Sequence, residues 1–370
     1  MGAERILVVR IAGIGDVAVA STVIERLRAE QPEARVTFLC GSASAPLARL
    51  YDGVSDVLVV DERALLGAGM LPRARALLAL WAELLRRRFD RVILLHVDRR
   101  YRALVAPLIG ARVSMLSRAT HGKMIPVPAR WLGDEYARLV GGTAHVGPIE
   151  RRYVMADLRD KVSASAGAPT TARVPRARRR VVLVPGGAKN VLRDDALRRW
   201  PLGHYGDVAR SLIALDHDVV LLGSETDRWT LAEFEGLDLT REIGTLGLAD
   251  SLALIANSDL VIAHDTGPMH LARLVRTPLI AVFGPTIPAQ VLWLDDSVTV
   301  LWGGEHLACR PCFDGREFAR CANNLCMSSV TPREVLQAVD RRLGGRSSPT
   351  TERPALRILD ESEPRRNAPR

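Results

Sequence analysis

Short apolar runs alternate with stretches of helical periodicity along most of the chain. In the first half, residues 6–10, 36–40, 57–60, 92–95 and 112–116 read as strands, and 17–30, 73–88 and 101–109 as helices. Ala20, Val23, Ile24 and Leu27 recur at the spacing of one helix face. Apolar runs of four or five residues set between helices predict parallel strands covered on both faces. A second series begins with a strand at 181–184. It continues through helix 204–215, strand 218–222, helices 227–235 and 249–256, strand 260–263, helix 268–275 and strand 279–283, and closes with helix 332–343. Between the two series, residues 164–179 (ASAGAPTTARVPRARR) carry no apolar period and read as a linker. The predicted class is therefore α/β, with two doubly wound domains facing a cleft. They occupy 1–165 and 180–345, joined by a linker at 166–179. The Ser-, Pro-, Thr- and Arg-rich tail at 346–370 is expected to be disordered.

The most telling polar interruption is His264-Asp-Thr-Gly-Pro-Met-His270. It follows the apolar run 259–263 and opens a helical one. A strand that delivers Asp265, Thr266 and Gly267 to a helix start offers backbone N–H groups to an anion, which suggests phosphate. His270, one turn inside, can face the same anion. Phe283-Gly-Pro-Thr286 is a second strand end of the same kind, and adjacent strand ends form the ligand rim of an open α/β sheet. Near the amino terminus, Arg10-Ile-Ala-Gly13-Ile-Gly15-Asp16 has a Gly-x-Gly turn but lacks the third glycine of a dinucleotide fingerprint. It also sets a carboxylate where a pyrophosphate would be repelled. Asp16 reads either as a helix N-cap or as a general base at the cleft, and the two can hold together. Gly13 and Gly15 let a ligand approach the backbone closely.

Composition narrows the class further. The 370 residues are 48% hydrophobic, and no run of eighteen apolar residues occurs, so a spanning helix is not expected. The start of the chain has no secretory pattern, and the cytoplasm is the expected compartment. The formal charge of +9 has two readings: an arginine-rich genome, or attraction to something anionic. The basic residues form no aromatic-interleaved patch and no nucleic-acid-binding motif, so no nucleic-acid partner is expected.

Three stretches together resemble glycosyltransferase family 9, the ADP-heptose–lipopolysaccharide heptosyltransferases. They are ILVVRIAGIGDVAVASTVIERLRAEQPEARVTFL, the Arg199-Trp200-Pro201 segment with His204-Tyr205, and DLVIAHDTGPMHLARLVRTPLIAVFGPT. VVLLGSETD is similar to the family's strand leading to a nucleotide-contacting acid. The resemblance runs to about residue 343. It implies two Rossmann-like domains in the GT-B arrangement and inverting transfer of a heptose from ADP-heptose to a sugar hydroxyl, with no metal or cofactor needed for the chemistry. It makes Asp16 the base. Thr266, Gly267 and His270 become the diphosphate turn, Arg199 a phosphate-contacting cation and Asp265 a partner of donor-sugar hydroxyls. Glu225 would bind the adenosine ribose. Lys189 and Asn190, after Pro185-Gly-Gly187, stand at another strand end as candidates for phosphate or sugar. The loop 188–198 is longer than a minimal turn, which leaves open which of its residues meets phosphate. The acceptor implied is an anionic glycolipid of lipopolysaccharide core assembly, with peripheral contact to the inner membrane. Two other readings stay open. One is a related transferase using another nucleotide sugar, or a protein or natural-product acceptor. The other is a non-catalytic nucleotide-sugar-binding module.

Cys309, Cys312, Cys321 and Cys326 follow C-x2-C-x8-C-x4-C spacing, while Cys40 ends a strand. In a cytoplasmic protein such clustering favours a structural zinc or iron over disulfides, with free thiols as the competing reading. The resemblance adds that some relatives carry similar cysteine loops and a few bind iron through them.

Overall fold

The computed structural model describes residues 2–67, 69–116, 131–141, 162, 178–189, 193–313 and 317–344. The expected tail and all of the expected linker except 178–179 lie outside the described residues.

The first lobe is built on a five-stranded sheet, with strands β1 (Arg5–Val9), β2 (Arg35–Gly41), β3 (Val54–Val60), β4 (Arg91–Leu94) and β5 (Arg112–Met115) in the order β3-β2-β1-β4-β5. Helices α1 (Ile14–Glu30), α2 (Ala45–Arg49), α3 (Met70–Arg87) and α4 (Leu132–Gly141) accompany it. The second lobe has six strands: β6 (Arg180–Val184), β7 (Asp218–Gly223), β8 (Thr240–Ile243), β9 (Leu260–His264), β10 (Leu279–Phe283) and β11 (Val298–Trp302). Their order is β11-β10-β9-β6-β7-β8. Its main helices are α5 (Leu202–Ala214), α6 (Leu248–Ala256), α7 (Gly267–Leu274) and α8 (Pro332–Leu343). Every pairing between these strands is parallel.

Burial explains why the apolar runs could be read as such strands. Ile6, Leu7, Val8 and Val9 are successive residues pointing to opposite faces, and none is exposed. Val181, Val182 and Leu183 behave in the same way. One core cluster contains Val17, Ala20 and Ile24 of α1 together with Met269, Leu271 and Ala272 of α7, so apolar packing is continuous from lobe to lobe. Helix α1 packs against α7, and the Trp131 indole donates to Val291 O at 3.2 Å.

Several elements differ from the sequence expectation. Residues 99–105 form a 3-10 turn opened by Asp98, whose side chain accepts from Arg100 N, where a helix over 101–109 was expected. Residues 225–234 are also 3-10, begun by a Ser224/Asp227 capping box. Strands β8 and β11 and helix α4 were not anticipated. Both strands are sheet edges, paired on one side only and largely half-buried or exposed, so their sequences carry little of the continuous apolar signal.

Candidate functional site

Both sheets reverse strand order at one point, between β1 and β4 and between β6 and β9. The loops leaving those strands, joined by those after β7 and β10, enclose a cavity of about 560 Å³. This is the position at which open α/β sheets bind ligands, and here two such positions face one another.

On the amino-terminal side, Gly13 precedes α1 without any side-chain cap, and Asp16 is the helix's third residue. Asp16 is therefore not an N-cap. Its carboxylate is engaged by the Arg10 guanidinium, which also donates to Leu95 O and lies 5.5 Å from the centre of the Tyr136 ring. Behind this pair, Ile11 N donates to His96 Nε2 at 3.0 Å, so that nitrogen is unprotonated. Burial and the neighbouring Arg10 charge hold His96 well below its ordinary value.

On the opposite side, Asp265 is buried at the end of β9. It accepts from Thr286 Oγ1 at 3.0 Å and meets Arg198 Nη1 at 3.4 Å. Arg198 also pairs with Asp195 at 3.0 Å. Thr266 is the residue before α7, and its Oγ1 accepts from Ala188 N at 3.1 Å. No side chain caps α7, so its amino end offers backbone donors to an anion. Asp227 ties the neighbouring turns together, accepting from Gly187 N at 2.7 Å and Ser224 N at 2.8 Å.

His270 joins the two sides. It projects from α7 against Gly15 of α1, where a Cβ would lie 2.6 Å from His270 Cδ2. Burial lowers its basicity, while the nearby Asp265 and Asp16 charges oppose that effect.

The cavity wall thus includes the expected Gly13, Gly15, Asp16, Lys189, Asp265, Thr266, Gly267 and His270. Two of the expected residues stand outside this wall. Arg199 does not line the cavity: it donates to Gly187 O at 2.9 Å, pairs with Asp194 and lies 5.5 Å from the centre of the Trp229 ring. The 3-10 turn Ala196–Arg198 presents Arg198 instead. Glu225 is also outside the wall, exposed and paired with Arg228 at 2.7 Å, while Ser224 and Asp227 line it. Asn190 lies outside the described residues. Sequence reasoning missed Arg10, Arg198, Asp227 and Gln290. Only Arg10 stood in a legible place, at the end of β1.

The four clustered cysteines are free thiols, Cys309 and Cys321 exposed, Cys312 half-buried and Cys326 buried. Burial pushes the Cys312 and Cys326 thiols up, and the other thiols of the group add to this. Among the described residues, no three His, Cys, Asp or Glu side chains are arranged around a common metal position.

Residues 147–322 match the family model for glycosyltransferase family 9 (heptosyltransferase). Lipooligosaccharide heptosyltransferase 2 of Haemophilus influenzae is 36% identical over 111 residues, which cover 28% of this chain and 32% of that protein. The lipopolysaccharide core heptosyltransferase OpsX of the same species is 23% identical over 317 residues, 80% of this chain and 84% of that protein. A little under half of the chain is thus similar to glycosyltransferase family 9. With the first of these relatives it shares about a third of their length. The Escherichia coli heptosyltransferase WaaC with ADP superposes with a TM-score of 0.68 at 18% identity, covering 91% of this chain and 99% of that one. That likeness establishes the GT-B-like arrangement of the two sheets.

Two outcomes follow from the packing of the site. Gly15→Ala forces a methyl group into His270 and should cost about 1–3 kcal/mol in urea unfolding. Gly13→Ala, whose Cβ meets nothing within 4 Å, should cost less than about 1 kcal/mol. The second outcome concerns pH. Burial takes His264 from 6.5 down to about 3, and His96 and His270 are lowered in the same direction. Below 6.5 the unfolded chain binds protons that the folded chain refuses, so the stabilisation these residues give is complete above 6.5 and is lost as pH falls toward about 3. Urea midpoints should fall across that window, and less steeply in His264→Asn.

Proposed function

We propose that this protein transfers a sugar, with inversion, from a nucleoside-diphosphate sugar of the ADP-heptose type to an acceptor hydroxyl. The observation that carries the reading is that Asp16 of the first lobe and the Asp265–Gly267 turn of the second line the same cavity. An attacking hydroxyl must lose its proton as its oxygen bonds to the anomeric carbon, and Asp16 is the carboxylate placed to take it. Arg10 fixes the direction of that carboxylate. As the glycosidic bond breaks, charge grows on the departing diphosphate. The uncapped start of α7 and the Arg198 guanidinium meet that charge with donors already in place. Asp265, held by Thr286, is free on its remaining lone pairs to accept from sugar hydroxyls. The reading calls on no cofactor beyond the sugar nucleotide. Its acceptor is a lipid-linked, anionic sugar of the kind lipopolysaccharide heptosyltransferases are named for.

ADP release from ADP-heptose in the presence of acceptor tests the base. Asp16→Asn should lower kcat by about 10²–10⁴-fold and leave ADP affinity within about threefold. Retained turnover in Asp16→Asn would remove Asp16 from the chemistry. A thermal-shift panel of ADP-, GDP- and UDP-linked sugars identifies the donor. For ADP itself, Arg198→Gln should weaken binding roughly 10- to 100-fold, and Arg199→Gln by less than about threefold. The reverse order would return the phosphate contact to Arg199.

A further inference from the structure

Helix α3 of the amino-terminal lobe has two apolar faces. One is buried: Leu80 and Leu84 pack in the core cluster behind β1 and β4. The other has no counterpart. Leu71, Leu78 and Leu85 are 80%, 60% and 54% exposed, and Met70 at the helix start is 87% exposed. Leucines seven residues apart drift only about 20° per step around an α-helix, so the three form one line. At 1.5 Å per residue that line runs about 21 Å along the surface. Ala74 and Ala82 lie exposed between them. A continuous apolar stripe of this length on a soluble face marks a contact surface.

The charges around the stripe say what it contacts. Arg73, Arg75 and Arg86 are exposed along the same helix, and Arg88 is exposed just past its end. The only acid on α3, Glu83, is held by Arg86 and Arg87. The 3-10 turn Arg99–Val105 packs against α3, with Trp81 Nε1 donating to Ala103 O at 2.9 Å, and adds exposed Arg99 and Arg102. Ile109, just beyond, is 93% exposed. Pairing this stripe with a second copy would lay arginines against arginines. A bilayer with anionic headgroups accepts both components, with leucines entering the acyl boundary and arginine stems lying along it beneath their charged ends.

Topology gives the surface a direction. In a parallel sheet the helix after β3 begins at the carboxyl end of the strands, the end that rims the cavity. The 3-10 turn begins just after Val97, which lines the cavity. Met70, Leu71 and Arg99 therefore stand toward the mouth of the site, while Leu85 is at the far end of the stripe. We infer that the exposed face of α3, with the adjoining 3-10 turn, docks the protein on an anionic lipid surface and turns the cavity toward it. Delivery of a lipid-linked acceptor rests on the proposed function; the docking itself does not.

Co-sedimentation of the full chain with phosphatidylcholine vesicles, with and without phosphatidylglycerol, tests this without any turnover. The wild type should bind the anionic vesicles, bind the neutral ones weakly, and release as salt rises. Changing Leu71, Leu78 and Leu85 together to Gln should weaken anionic-vesicle binding by roughly tenfold or more. Arg75→Gln with Arg86→Gln should reduce it and flatten its salt dependence. Unchanged ADP-induced thermal shifts will show that both variants fold, since every altered side chain is exposed. Absence of wild-type binding to anionic vesicles, or equal binding by the leucine variant, overturns the inference. So does a wild-type dimer in sedimentation velocity that the leucine variant converts to monomer, which would make the stripe a self-association surface. Loss of transfer activity in Asp16→Asn with vesicle binding intact separates this surface from the chemistry.

Discussion

The close approach of α1 and α7 at Gly15 and His270 is the constraint on which the site depends. A side chain at position 15 would occupy the space of the imidazole. Its absence lets a helix start from one sheet press against a helix start from the other, and the apolar cluster shared by Val17, Ala20, Met269 and Leu271 stabilises that contact. Asp16, one residue on, and Asp265, two residues before α7, are thereby brought into electrostatic range of the same histidine. Two sheets that each end in a polar rim become one cavity through this contact.

Within that cavity the charges are arranged in pairs rather than scattered. Arg10 holds Asp16 from behind, and Arg198 bridges Asp195 and Asp265. Asp227, almost wholly buried, fixes the backbone of two neighbouring turns through Gly187 N and Ser224 N. Groups anchored in this way need little reorganisation when charge moves along a substrate, which is the physical basis of electrostatic preorganisation. The neutral histidines behind them, His96 and His264, belong to the same economy of burial: desolvation keeps both unprotonated, so they add no competing cations.

How much of the site was legible depended on whether its residues are contiguous. Asp16 follows a Gly-x-Gly turn at a strand end, and Asp265-Thr266-Gly267 follows another; strand ends point to ligands whatever the rest of the chain does. Arg198 and Arg199 show the limit. They are adjacent and alike in charge, and the resemblance pointed to Arg199, yet a single 3-10 turn sends Arg198 to the cavity and Arg199 onto Gly187 and Trp229. Glu225 and Asp227 divide in the same way, because the capping box at Ser224 turns Asp227 inward and leaves Glu225 in solvent.

The sequence by itself determined the α/β class, the parallel strands and the positions of the two polar turns. Runs such as ILVV and VVLV are apolar at every position, and only strands covered on both faces bury such runs completely. It did not determine the edge strands β8 and β11, whose half-exposed residues carry no such pattern. Nor did it reveal that α3 keeps a second apolar face in solvent, because periodicity reports that leucines share a face and not what covers it. Which arginine enters the cavity, and which carboxylate each arginine holds, depends on contacts between residues as much as 85 positions apart, as in the Arg10 bond to Leu95 O. Those contacts exist only once each sheet has brought its own strand ends side by side.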